Sequence, residues 1–279
     1  QETAQAVYDF ERQLVEPTLT REEQQDFGLL YNPMTLEELE AAYPMMDWAA
    51  YFTELGIADV DTVVVIEKRY LEALNDIVTG ADLETLKAHL KLEVFWSFAE
   101  YLSTDIERIA FDFQGGALAG VQEQAPLEER VLDDVNAFVP DAVGQLYVAE
   151  YFPPEAKAEI EALVDSLIVA YRARLEANPW MSEATRTEAL AKLDLLRVKV
   201  GYPDQWLTYE RVEIRDSYMQ SALSALSAEV QRQLERAGEP VDQDEWGASP
   251  QLVNAFYDSL NNDITFPAAI LQPPFFDFE

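Results

Sequence analysis

The chain has 279 residues, 49% hydrophobic and 11% aromatic, which is enough to bury the core of one large or two small domains and excludes global disorder. Lys and Arg number 19 against 53 Asp and Glu, and the formal net charge of −34 disfavours nucleic acids and anionic membrane surfaces as partners. The absence of cysteine excludes disulfides and thiolate zinc sites, and no apolar run approaches the roughly 18 residues that cross a bilayer.

The first half of the chain predicts one helix after another. The helix starts are marked either by a Thr with a Glu three residues later or by an aspartate before an apolar run. These signals are Thr20 with Glu23, Thr35 with Glu38, Asp47, Asp82, and Thr104 with Glu107. The helix after Asp82 is expected to reach about Leu102. Residues 63–66 are β-branched and predict a strand or a buried connection.

The second half contains the longest predicted helix. Two prolines and a glutamate at 153–155 open it, because proline and an acid are favoured in a first helical turn, and Asn178-Pro179 ends it. Further helices are expected over residues 182–196 and 216–236. An apolar stripe at helical spacing predicts the buried face of the long helix: Ile160, Leu163, Val164, Leu167, Ile168, Tyr171 and Leu175.

Near the C-terminal end, two extended runs flank a polar turn. Residues 253–258 and 263–266 alternate between side-chain types, and residues 259–262 between them favour a turn. The pattern predicts a β-hairpin, in which Pro267 either ends the second strand or marks an edge because it has no N–H for the ladder. We therefore expect a mainly α fold with a small β element. An exposed hairpin edge could also bind an extended peptide through unpaired backbone groups.

The hairpin region carries a resemblance to a known family. Residues 254–257 and the Phe-Pro-Ala-x-Ile-Leu-Gln-Pro-Pro-Phe-Phe run at 266–276 resemble the segment before the zinc motif of the neprilysin-like (M13) zinc metallopeptidases. The resemblance extends over nearly the whole chain. Further similar stretches lie at 32–35, 47–48, 144–148, 151–152, 180–193, 201–204 and 241–246.

The resemblance implies an architecture and a cofactor. Residues 1–142 would form a helical cover domain, and residues 143–279 the first helices and hairpin of a thermolysin-like catalytic domain. In the family, zinc is held by a His-Glu-x-x-His helix and a downstream Glu, and the Glu of the motif activates the zinc-bound water. The chain reaches Glu279 before any such motif. We therefore expect no catalytic residue and no zinc ligand in it, with the C-terminal catalytic fragment of the same protein as its partner.

Four residues are implied to bind the peptide substrate. The Asn254 side chain and the Ala255 carbonyl would grip the substrate backbone on the primed side of the scissile bond. Ile270 and Phe275 would line a pocket for the apolar side chain just after that bond. The residues alone leave other interpretations open: Asn254 could satisfy a buried turn, and Ile270 and Phe275 could be ordinary core residues.

The remaining candidates for chemistry are weak. His89 is the only histidine and is expected to be a structural or surface residue, and adjacent acids such as Glu128-Glu129 point about 100° apart on a helix and are expected to be solvated. The competing hypothesis is a non-catalytic acidic helical module that binds a peptide or a partner protein. By analogy with the family, the cysteine-free composition favours an extracytoplasmic location, either periplasmic or secreted.

Overall fold

The computed structural model describes residues 2–277, so the chain end at Glu279 lies outside the described residues. The fold is mainly α-helical, as predicted. Short 3₁₀ turns occupy Glu23–Gln25 and Ala99–Tyr101, and a π-helical turn spans Asp112–Leu118. The helices are α1 (Glu2–Val15), α2 (Phe27–Leu30), α3 (Leu36–Ala42), α4 (Trp48–Glu54), α5 (Lys68–Gly80), α6 (Leu83–Ser97), α7 (Thr104–Phe111), α8 (Leu127–Phe138), α9 (Pro140–Tyr151), α10 (Pro154–Glu176), α11 (Glu183–Asp194) and α12 (Tyr218–Glu235).

The strands form two small sheets. Strands β1 (Asn32–Thr35) and β2 (Thr62–Val65) pair antiparallel. In the second sheet, β5 (Asp263–Pro267) lies between β3 (Arg197–Gly201), which is parallel to it, and β4 (Phe256–Asp258), which is antiparallel to it. The predicted hairpin and its end at Pro267 are confirmed. The first hairpin strand is shorter than expected, and β1 and β3 were not predicted.

The chain divides into two compact units. One unit runs to Gln124 and adds Ile214–Pro240, which contains α12. The other consists of Ala125–Glu213 and the residues from Val241 onward. Each unit is therefore built from two separate stretches of the chain. These borders differ from the division into 1–142 and 143–279, which stays a prediction about the domains of a complete enzyme.

Most of the predicted helix starts are confirmed in atomic detail. The Thr35 hydroxyl accepts from the Glu38 N–H at 3.2 Å, while the Glu38 carboxylate accepts from the Thr35 N–H at 2.8 Å. The carboxylates of Asp47 and Asp82 cap α4 and α6. The helix predicted to start at Thr104 is confirmed, since Thr104 is the first residue of α7. The α6 helix, by contrast, ends at Ser97, short of the expected Leu102.

The core of the second unit joins α10 to the sheet. Phe152 and Ala156 are fully buried, and they pack with Ile160 of α10, Val200 of β3 and Leu271 beyond β5. Within the predicted stripe of α10, Ile160 and Leu175 are buried and Val164 packs against this core, which confirms that part of the prediction. Leu163, Leu167 and Tyr171 are 48%, 59% and 58% exposed. For these three residues the predicted burial is wrong within residues 2–277.

Candidate functional site

Strand β4 is one of the two edge strands of the second sheet. All three β4 residues are exposed, and among residues 2–277 β4 pairs with β5 along one side only. The hairpin turn is closed by Asp258, whose Oδ1 accepts from the N–H of Leu260 at 2.8 Å and from that of Asn261 at 3.3 Å. The turn holds β4 against β5 and leaves the other side of β4 open for an extended chain.

Asn254 and Ala255 lie directly before β4, and both are exposed. The Asn254 N–H donates to the Leu252 carbonyl at 3.0 Å, and the Asn254 Oδ1 accepts from the Ala255 N–H at 2.8 Å. Asn254 does not satisfy a buried turn, because its side chain accepts the hydrogen bond from the Ala255 N–H while it stays exposed to solvent. Within residues 2–277 its Nδ2 group makes no hydrogen bond, so it is available as a donor.

Buried contacts fix the chain just before Asn254. Pro250 is fully buried, and its carbonyl accepts from the Ala269 N–H at 2.9 Å. The Gln251 side chain donates to the Asn136 Oδ1 at 3.0 Å and to the Pro140 carbonyl at 3.1 Å. These bonds connect the residues just before β4 with the segment after β5 and with the corner between α8 and α9. The exposed Asn254 therefore follows a segment that buried contacts hold in place.

A buried ion pair anchors the central strand. Lys199 of β3 and Asp263 of β5 contact each other at 2.6 Å with side chains only 11% and 6% exposed, and the Lys199 Nζ also donates to the Glu245 carbonyl at 2.8 Å. This pair was not predicted from the sequence. The alternation Arg-Val-Lys-Val at 197–200 is a strand signal that could have revealed β3.

Ile270 and Phe275 lie in different environments. Ile270 is partly buried and packs against the core of the second unit, as the core interpretation expected. Phe275 is 71% exposed, and its N–H donates to the Gln272 carbonyl at 2.9 Å. Their assignment to one substrate pocket stays a prediction.

Comparison with known proteins decides the family. Residues 1–203 match the profile described as peptidase family M13. The chain belongs to the M13 family. It is 32% identical over 272 residues to a neutral endopeptidase of Lactobacillus helveticus, a match that covers 96% of this chain and 42% of that protein. It is 30% identical over 291 residues to neprilysin of Mus musculus, covering 97% of this chain and 39% of that protein.

Solved structures agree with this M13 assignment. A zinc metalloprotease of Mycobacterium tuberculosis in complex with an inhibitor superposes with a TM-score of 0.91 at 34% identity, covering 99% of this chain and 42% of that one. The resemblance inferred from the sequence and the predicted fold class are therefore confirmed. The M13 chain spans less than half the length of these curated relatives. Its described helices include none long and apolar enough to cross a membrane.

One group of possible metal ligands occurs in the described part of this M13 chain. Glu11, His89 and Glu93 place a ligand atom each within 4.8 Å of one another. From the sequence, His89 was considered alone and its two neighbours were missed. The four-residue spacing of His89 and Glu93, which puts them on one helix face, was the available signal.

Proposed function

We propose that this chain is the N-terminal section of a neprilysin-like zinc endopeptidase that hydrolyses peptide bonds of oligopeptides. Membership of the M13 family and the names of the relatives, which include neutral endopeptidases and a zinc metalloprotease, support the reaction class. The catalytic zinc and its ligands would lie in another part of the polypeptide or in a separate chain. There the metal would polarise the peptide carbonyl and activate water.

The role proposed for this chain is to cover the substrate chamber and to supply one edge of the substrate cleft. The observation that carries the second role is the exposed amide of Asn254 beside the open edge of β4. A peptide lying along this edge would present its carbonyl to the Asn254 Nδ2, and the Ala255 carbonyl would accept from a peptide N–H. Such contacts hold the substrate extended and so orient the bond to be cleaved.

The exposed face of α10 supports a catalytic fragment of the same protein as partner. Leu163, Leu167 and Tyr171 follow one another at four-residue spacing and form an apolar row on the helix surface. A row of this kind is typical of a buried contact. We propose that the catalytic fragment covers this row.

We also propose that the protein lies outside the cytoplasm, in the periplasm or as a secreted protein. Cell fractionation tests this location.

The Asn254→Ala variant of the complete enzyme tests the substrate edge. Loss of a hydrogen bond to the peptide backbone should lower kcat/KM about three- to tenfold, while zinc content stays unchanged. Peptide turnover and metal analysis are measured side by side. Asn261→Ala is the matched control, since Asn261 sits in the turn of the same hairpin and, within the described part of the chain, bonds only to Asp258. Equal turnover of Asn254→Ala and wild type would refute the edge role, whereas no peptide turnover by the complete protein would favour the non-catalytic binding module.

A further inference from the structure

The chain's only histidine joins two helices of the first unit. His89 lies on α6, and its Nδ1 is 3.1 Å from the Oε1 of Glu11 on α1. The imidazole ring also lies 5.0 Å from the Phe10 ring, measured between centroids. Phe10 is buried and the His89 side chain is only 17% exposed, so these contacts hold the imidazole in one place.

Glu93 completes the cluster. It follows His89 by one helical turn, so both side chains lie on the same face of α6. Glu93 is exposed and makes no hydrogen bond or ion pair within residues 2–277. Its carboxylate can therefore rotate toward His89 at little energetic cost. The three ligand atoms already lie within 4.8 Å of one another.

We propose that Glu11, His89 and Glu93 bind a divalent transition-metal ion of the Zn²⁺ type. Bonds of about 2.0–2.2 Å to nitrogen and oxygen place neighbouring ligands of a tetrahedral zinc ion roughly 3.4 Å apart. The Nδ1–Oε1 separation of 3.1 Å is close to that spacing. When the ion binds, the imidazole proton occupies Nε2, and water fills the remaining coordination position.

The ligand set selects the kind of ion. An imidazole nitrogen suits Zn²⁺, Co²⁺ and Ni²⁺, whereas Ca²⁺ and Mg²⁺ prefer oxygen ligands alone. The formal net charge of −34 also raises the local concentration of cations. A bound ion would fasten α1 to α6 and stabilise the folded chain. This site departs from the expectation that the chain binds no metal, and it does not rest on the proposed function.

A single histidine makes the test direct. Zn²⁺ is titrated into the isotopically labelled 279-residue chain while the one imidazole is followed by NMR, with excess Mg²⁺ present to occupy the acidic surface. We expect the ring resonances to shift and saturate at one equivalent of Zn²⁺, with no shift from Ca²⁺. A stationary imidazole signal during zinc uptake would mean adventitious binding to surface carboxylates and would overturn the proposal.

Two variants identify the ligands. His89→Ala and Glu93→Gln should each weaken Zn²⁺ binding at least about tenfold in calorimetry. Because Glu93 is exposed and unbonded within the described chain, Glu93→Gln keeps the fold even if His89→Ala loosens it. Glu84→Gln is the matched control, an exposed acid of the same helix that pairs with Lys87. Wild-type affinity in Glu93→Gln, or an equal loss in Glu84→Gln, would contradict the site.

Discussion

At the scale of single residues, Arg69 favours the charged form of a surface carboxylate. Its guanidinium donates two hydrogen bonds to Glu23 at 3.0 Å and bonds the carbonyls of Pro17 and Thr18. This bidentate pairing, with further bonds from Thr20, lowers the pKa of Glu23 from its ordinary 4.5 to about 2. One arginine on α5 thus holds the whole 17–23 segment.

This pairing predicts a pH dependence. Because the folded chain binds the Glu23 proton less readily than the unfolded chain, the stabilisation is complete above about pH 4.5 and is lost as the pH falls toward 2. A carbon NMR titration of the Glu23 carboxyl should show the low pKa. In Arg69→Ala it should rise toward the ordinary value. An unchanged pKa in that variant would assign the shift to Thr20 instead.

Gly201 is a residue whose identity the structure requires. Its φ is +75°, and a Cβ placed there would lie 2.5 Å from the Cε1 of the fully buried Phe152. We expect Gly201→Ala to lower the free energy of unfolding by about 2–4 kcal/mol, from overpacking added to backbone strain. Chemical denaturation measures the loss.

Gly56 provides the control for Gly201. Its φ is +80°, but a Cβ placed there would meet no atom within 4 Å. Gly56→Ala should therefore cost only the backbone strain, about 1 kcal/mol. Equal losses in the two variants would show that the contact with Phe152 adds nothing.

At the scale of elements, the β3–β5 pair depends on a buried charge. Lys199→Met leaves the Asp263 carboxylate buried without its cation, which should cost about 3–5 kcal/mol in unfolding free energy. Adding Asp263→Asn to that variant should recover part of the loss, since no unpaired charge then remains. The comparison is made by denaturant unfolding.

The exposed pair of Lys68 and Glu72 is the matched control. These side chains are more than half exposed and their charged atoms lie 4.0 Å apart. Lys68→Met should change the stability by no more than about 0.5 kcal/mol. A small effect of Lys199→Met as well would mean that β3 and β5 are held by their backbone ladder and core alone.

At the scale of the whole molecule, the same substitution should act differently in two contexts. In the 279-residue chain, Leu167 is 59% exposed, so Leu167→Glu should leave thermal stability nearly unchanged. In a complete enzyme whose catalytic part covers α10, a buried unpaired carboxylate should cost more than about 2 kcal/mol. Thermal unfolding of both proteins makes the comparison.

Val169→Glu is the control for Leu167→Glu. Val169 is 69% exposed and lies two residues from Leu167, on the other side of the helix. Its substitution should have little effect in either protein. If Leu167→Glu were equally harmless in both, the apolar row would not contact a catalytic fragment.

The sequence by itself determined the mainly α character, most helix starts, the hairpin and the family resemblance. Caps such as Thr35 with Glu38 act within four residues, and the hairpin strands are joined by a short turn, so their signals are local.

Only the tertiary structure decided the rest. Strand β3 pairs with β5 in parallel, Glu11 contacts His89, and Leu163, Leu167 and Tyr171 of α10 stay exposed. Each of these features depends on segments that are distant along the chain. Periodicity shows which face of a helix is apolar. Which neighbour buries that face depends on packing between elements, and no local pattern encodes it.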